Sequence, residues 1–433
     1  MIGSPQPAAD PAPETGAYRW YVLSVLTGIF TIHALDRQLI TIVLEPLKHA
    51  FELSDTLLGF LSGTVYAVSF SIAGIPGAML VDRVNRRKLL AAAVALWSAA
   101  TALSGFAMSY IQLVLARIGL AVCEAPSLPS SASMISDLFG QRERATAMGI
   151  YGMGLGLGQL IGFMVGGWIA ANWGWREVFI MGGLPGLLLA VVLLTTVREP
   201  TRRRADGAPI TDEAVPSLPA TLRYILSQRS LVNYFSAYVM MVIGTSATMA
   251  FMPSFYIRSH GVPLAQIGLY LGVGFGLANV VGSFLGGIIA DRLGRHDQRW
   301  IARLGALTAG TVLIACWSME RTDSLTASIV FLVIWGIAFT TQIGPYYALS
   351  QSLVSTRMRG TTIGTLNTLI NILAYGLGPL ITGLLSDAYK GWAGSDALRY
   401  AMMSVACINI LAIIQFLRVG KTLPEDLARA AAQ

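Results

Sequence analysis

Ala78-Met-Leu-Val-Asp82-Arg-Val-Asn-Arg86-Arg-Lys88 closes one long apolar run, and Gly287-Ile-Ile-Ala-Asp291-Arg-Leu-Gly-Arg295 closes another, 209 residues later. A second echo follows in the same order: Arg142-Glu-Arg144-Ala-Thr-Ala-Met-Gly149 against Arg357-Met-Arg359-Gly-Thr-Thr-Ile-Gly364. Two ordered echoes at similar offset mean a duplicated unit, and parallel halves are the repeat plan of one large class of membrane transporter. The composition agrees. The chain is 54% hydrophobic and only 12% charged, whereas soluble globules carry about 25% charge.

A crossing needs about 20 apolar residues at a rise of about 1.5 Å each. On that rule the sequence predicts an all-α membrane protein with twelve transmembrane helices in two pseudo-symmetric six-helix bundles. They fill 19–197 and 230–418, joined by a cytosolic linker at 198–229. Residues 1–18 are proline-rich without a basic start, so a disordered cytosolic tail rather than a signal peptide is expected. Residues 419–433 form the second tail. A short amphipathic helix near Pro219–Gln228 is expected at the membrane surface.

The net charge of +7 raises the question of nucleic acid. Its distribution answers no. With both termini in the cytosol, 22 Lys/Arg fall on that side and six outside, with Arg37 and Arg117 left inside helices. This is the positive-inside pattern of a bacterial inner membrane. Cys123, Cys316 and Cys407 lie in apolar runs with no metal or disulfide spacing. No nucleophile–histidine pair and no phosphate loop is present, so no enzyme and no cofactor are expected. A monomer is expected.

The repeated Gly-x-x-x-Asp-Arg-x-Gly-Arg loop resembles that of the major facilitator superfamily. The second copy is intact; the first has Ala78 and Asn85 in place of two glycines. Leu35-Asp-Arg-Gln38, Leu53-Ser-Asp-Thr-Leu-Leu-Gly59 and Ala116-Arg-Ile-Gly-Leu-Ala-Val-Cys-Glu-Ala125 are similar to bacterial members of the spinster family. The anion–cation symporters of the superfamily share the Asp–Arg and Arg…Glu pattern. The resemblance implies a secondary transporter working by alternating access. It implies a small amphipathic substrate, a lysophospholipid or sphingoid type, moved with protons. A small organic anion carried by proton symport, or a proton/drug antiport, is the alternative.

Asp36 and Arg37 lie inside the first apolar run, and Arg117 and Glu124 lie in the fourth. Ionisable groups at that depth cost roughly 2.5–3.5 kcal/mol each and are functional hypotheses by default. Arg117 and Glu124 are seven apart, on one helix face. Counting rise from the outer ends puts Asp36 about 12 Å deep, Arg117 about 10 Å and Glu124 about 21 Å. Asp36 and Glu124 are therefore the candidate proton-coupling carboxylates, Glu124 as carrier and Asp36 as switch. Arg37 and Arg117 are their charge partners or the substrate head-group site. The competing reading is a static ion-pair network that fixes helix packing. Burial raises a carboxylate's pKa and a nearby arginine lowers it, so an environment that alternates loads and releases a proton. His33, one turn before Asp36, reads as a packing residue with a relay role in reserve. Glu45, before Pro46, reads as a solvated helix end.

Tyr66, Asn279, Gln342, Tyr346, Asn367 and Asn371 are the candidate substrate-cavity residues. Asp82, Arg86, Arg144, Asp291, Arg295 and Arg359, beside helix ends, are the candidate cytosolic gate. There an aspartate of one half accepts from a helix N-terminus of the other. The glycine-dense fifth run and the Gly376-Leu-Gly378-Pro379 bend are read as close packing.

Overall fold

The computed structural model describes residues 16–200, 218–297, 299–354 and 358–431. Span 1 is Gly16–Ile42, span 2 Asp55–Arg83, span 3 Arg86–Ser104, and span 4 Tyr110–Glu124 continued by Ser127–Leu138. Span 5 is Gln141–Asn172, span 6 Trp175–Thr196, span 7 Arg229–His260, span 8 Leu264–His296 and span 9 Arg299–Arg321. Span 10 is Leu325–Thr340 with Ile343–Ser352. Span 11 runs from Arg359–Ile370 through Asn371–Tyr375 to Leu377–Ala393, and span 12 joins Ala397–Ala406 to Ile408–Ala431. Among the described residues nine helical stretches are long and apolar enough to cross a membrane. One of them, Arg359–Leu427, contains the turn at Gly394 between spans 11 and 12. Spans 1 and 3 fall outside the nine and carry Arg19, Asp36 and Arg37, or Arg86, Arg87 and Lys88. The count is consistent with twelve crossings.

Local chemistry sets the helix starts. Ser54, Asn85, Ser109 and Ser324 each accept a backbone N–H three residues on, from Leu57, Lys88, Gln112 and Ala327, as good N-caps do. Asn85, which replaces a glycine of the repeated loop, thus starts span 3. Spans 4 and 10 both break at mid-course, where Pro126 and Pro345 cannot continue the hydrogen-bond ladder. Glu124 stands at the first break and Gln342 at the second. The repeat therefore places a carboxylate in one half and a neutral amide in the other.

Two expectations change. The last helix does not end near 418. It continues to Ala431, with Leu423 and Asp426 buried, and Asp426 accepts from Ser230 N at 2.7 Å. The helix at Leu218–Ser227 exists, but it is docked: Ile225 is buried and the Tyr224 hydroxyl donates to Leu353 O. Residues 1–15, 201–217 and 432–433, parts of the expected tails and linker, lie outside the described residues, as do the side chains of Asp291 and Arg295.

On the side opposite the basic loops, called outer here, the halves touch closely. Spans 2 and 11 meet through Gly59 and Gly63, where an added Cβ would strike Pro379 O or Tyr375 O. Spans 5 and 8 meet at Gly167 and Gly268. At the basic end a Cβ on Gly287, Gly360 or Gly364 would meet nothing within 4 Å.

Candidate functional site

The proton candidates and their immediate neighbours, His33, Asp36, Tyr66, Arg117 and Glu124, come from spans 1, 2 and 4. Glu124 is fully buried: Tyr66 OH donates to Oε2 at 2.6 Å, and His33 Nδ1 lies 2.7 Å from Oε1 without a hydrogen bond between them. Phe30 stacks on His33 and on Tyr151, and Tyr66 stacks on Phe70. Asp36 is 1% exposed and Arg117 3%. They act on one another's charge, as Glu124 does on both, but no ion pair under 4.0 Å joins them. Trp97 and Thr101 of span 3 border Asp36. Burying a carboxylate is costly unless it meets a donor, a cation or a proton, so this arrangement has two carboxyls that one or two protons can settle.

Arg37 is not a member of that cluster, although it is the next residue. The 100° step between successive helix positions turns it to the inter-half space. Its guanidinium lies 5.0 Å from the Tyr66 ring centre and 5.1 Å from that of Tyr375 on span 11. It opens on a cavity of about 190 Å³, lined also by Gln38, Thr41, Gln159, Ser246 and Tyr375. Tyr66 belongs to both sites: its ring faces Arg37 and its hydroxyl holds Glu124.

The other cavity candidates are dispersed. Tyr346 is buried, stacked on Tyr238 at 4.3 Å, and donates to Asn367 Oδ1. Asn371 donates to Asn367 O, and Gln342 accepts from Tyr234 OH. These build a polar core within the second half. Asn279 faces a separate, mainly apolar cavity of about 540 Å³ between spans 5 and 8, and donates to Gln159 Oε1. Gln159 lines the central cavity, so this hydrogen-bonded pair stands between the two spaces. Of the gate candidates, Arg86 pairs with Asp137 and with Glu199 at 2.8 Å, Arg144 donates to Ser136 O, and Arg359 donates to Gln351 O. All these contacts stay within one half. Asp82 ends span 2 and is exposed.

Glu45 is not a solvated end. It is 7% exposed and takes Arg258 of span 7, with Nε at 3.0 and 2.9 Å. Arg258 also grips Asp55 with two bonds of 2.9 Å, and Lys48 and Ser386 bind the same carboxylate at 2.6 Å. Asp387 of span 11 caps span 2, accepting from Asp55 N, Thr56 N and Thr56 Oγ1. This network ties the halves together above the cavity. Sequence reasoning missed it because Arg258 looks like an ordinary topology charge. The signal was there in two acids, Glu45 and Asp55, on the outer side where cations are sparse. Glu320, fully buried beside Cys316 Sγ at 3.2 Å, was also missed.

The family model for the Major Facilitator Superfamily matches residues 26–379. The chain belongs to the Major Facilitator Superfamily. It is a multi-pass membrane protein of that fold, and not an enzyme. A bacterial homologue of the human lysosomal transporter Spinster, solved inward-facing and unoccupied, superposes with a TM-score of 0.88 at 28% identity, covering 95% of this chain and 99% of that one. An MFS-type efflux pump of Mycolicibacterium smegmatis is 27% identical over 99% of this chain and all of its own. A probable galactarate/D-glucarate transporter of Bacillus subtilis is 25% identical over 95% of this chain and 93% of its own. The bacterial spinster resemblance thus finds its counterpart in fold, while the relatives include a carrier of sugar diacids.

Proposed function

We propose that this secondary transporter moves a small organic anion, of the hydroxylated sugar-acid type, together with protons. The observation that carries this reading is Arg37: a guanidinium that has no acidic partner among the described residues, held between two tyrosine rings in a cavity that adds the polar groups of Gln38, Thr41, Ser62, Gln159 and Ser246 to an apolar wall of Leu155, Met249, Ala250 and Pro379. A guanidinium binds a carboxylate bidentately, and Gln38, Thr41, Gln159 and Ser246 suit the hydroxyls. Drug-sized ligands occupy roughly 300–1,000 Å³, so about 190 Å³ favours a compact solute. The similarity to a galactarate/D-glucarate transporter points the same way.

In this reading the outer network holds the inward-facing state. Substrate bound at Arg37 is sensed through the Tyr66 ring, whose hydroxyl sits on Glu124. Glu124 carries the proton, His33 exchanges it, and Asp36 with Arg117 responds to the change in charge. Asp82 and Arg359 form inter-half contacts when the basic side closes. The test is uptake into proteoliposomes under an imposed pH gradient. Asp36→Asn and Glu124→Gln are expected to lose gradient-driven uptake while still melting cooperatively near the wild-type temperature. Full gradient-driven uptake in both removes the proton assignment.

One observation favours a second reading. The apolar cavity between spans 5 and 8 is parted from the central one by the hydrogen-bonded Asn279–Gln159 pair, Asn279 lining the one and Gln159 the other. An amphipathic anion would place its head at Arg37 and its tail there, as the spinster likeness suggests. Competition of lysophospholipid against a sugar diacid for the same site separates the two.

A further inference from the structure

At the basic end of spans 9 and 12 lies a cavity of about 420 Å³ that transport through the centre does not use. Arg299, Arg303 and Lys421 converge on it, over a floor of Phe416, Leu417 and Gly420. All three cations are exposed, and none is in an ion pair among the described residues. Several other basic-side arginines are neutralised by acids instead. Arg19 pairs with Glu143, Arg86 with Asp137 and Glu199, and Arg429 with Glu425 and Asp426. The nearby Asp297 carboxylate is turned to the start of span 9, where it accepts from Arg299 N at 2.9 Å. Among the described residues no acid lines the pocket. Its apolar side continues onto the outer surface of span 12, with Leu417 half exposed and Phe416 buried beneath. Trp300, 40% exposed and 4.9 Å from the Arg303 guanidinium, sits where interfacial tryptophans anchor.

We infer that this pocket binds the phosphate head group of an anionic phospholipid of the inner leaflet. A topology signal alone needs no concavity and no convergence of cations. A soluble anion would need no apolar floor running into the bilayer. Basic pockets between helices on the cytosolic side are the chemistry that holds such head groups. The proposal goes beyond the transport reading and uses none of its residues.

The test is native mass spectrometry of the full chain with phosphatidylglycerol or phosphatidylcholine added. The wild type should retain phosphatidylglycerol selectively. Arg299→Gln with Arg303→Gln and Lys421→Gln should weaken retention about 100-fold, at roughly one surface cation's contribution each. Arg303→Gln alone should fall between, which keeps the test decisive should the triple variant fold poorly. A control removing Lys88, Arg223 and Arg229, exposed cations elsewhere on the basic side, should bind like wild type. Equal loss in control and triple variants would reduce the effect to general surface charge and overturn the site. So would equal retention of phosphatidylcholine, or displacement of the lipid by millimolar inorganic phosphate.

Discussion

Arg258→Gln tests the outer network most sharply. Arg258 makes four contacts of 2.9–3.0 Å to Glu45 and Asp55, joining span 7 to the ends of spans 1 and 2. Asp55 is 1% exposed and Glu45 7%, so both carboxylates lose a cation while still out of water. Removing one partner of such a buried pair costs about 3–5 kcal/mol. Lys48 and Ser386 stay on Asp55, and the Arg258 side chain is 15% exposed, so the lower end, about 3 kcal/mol, is the appropriate figure. The network exists only while the outer side is closed. Its loss therefore falls on the inward-facing state and shifts the balance toward outer opening by about 150-fold at about 1.4 kcal/mol per tenfold. Spin labels at Glu52 and Asp323, both exposed on the outer side of opposite halves, report the distance by pulsed electron resonance. The variant is expected to show a longer distance than wild type, and uptake is expected to slow. An unchanged distance distribution with a folded protein would refute the assignment of this network as the outer closure.

Other perturbations address neighbouring parts. Tyr375→Leu removes one ring from Arg37; at about 1–2 kcal/mol for a desolvated cation–π contact, KM for the anion is expected to rise about 5- to 30-fold with kcat nearly unchanged. Gly59→Val drives a side chain into Pro379 O, so the outer side is expected to stay open, read as labelling of a cysteine placed at Ser62 by a membrane-impermeant maleimide. Glu320→Gln, a neutral isostere beside Cys316, is expected to leave gradient-driven uptake within twofold; loss of coupling there would add a second proton site to the scheme.

Much of this arrangement was legible in the residues. The duplicated loops and the 22-to-six charge bias reflect forces that act on sequence directly, namely apolar length and topology. Depth counting put Glu124 below Arg117, and the fold keeps them on one buried face. What counting along a helix does not give is azimuth across helices. Asp36 and Arg37 looked like a pair, yet one turns into the first half and the other to the centre. Asn279 and Gln159 meet where spans 5 and 8 approach closely at Gly167, Gly268 and Gly272, a contact between helices that lie far apart in sequence. Glu45 and Asp55 share Arg258 across more than 200 residues of chain, a pairing that no local pattern encodes. Tyr66, chosen as a cavity residue, turned out to hold Glu124 as well.

The central claim is that Arg37 binds a carboxylate whose passage is tied to a proton. Its most direct measurement is uptake of a radiolabelled sugar diacid, galactarate or D-glucarate, into proteoliposomes with acid outside and neutral inside. The account predicts uptake that collapses with a protonophore, is lost in Arg37→Gln, and is partly kept in Arg37→Lys. Uptake equal to wild type in Arg37→Gln would contradict it, as would transport of a lysophospholipid with no competition from the diacid.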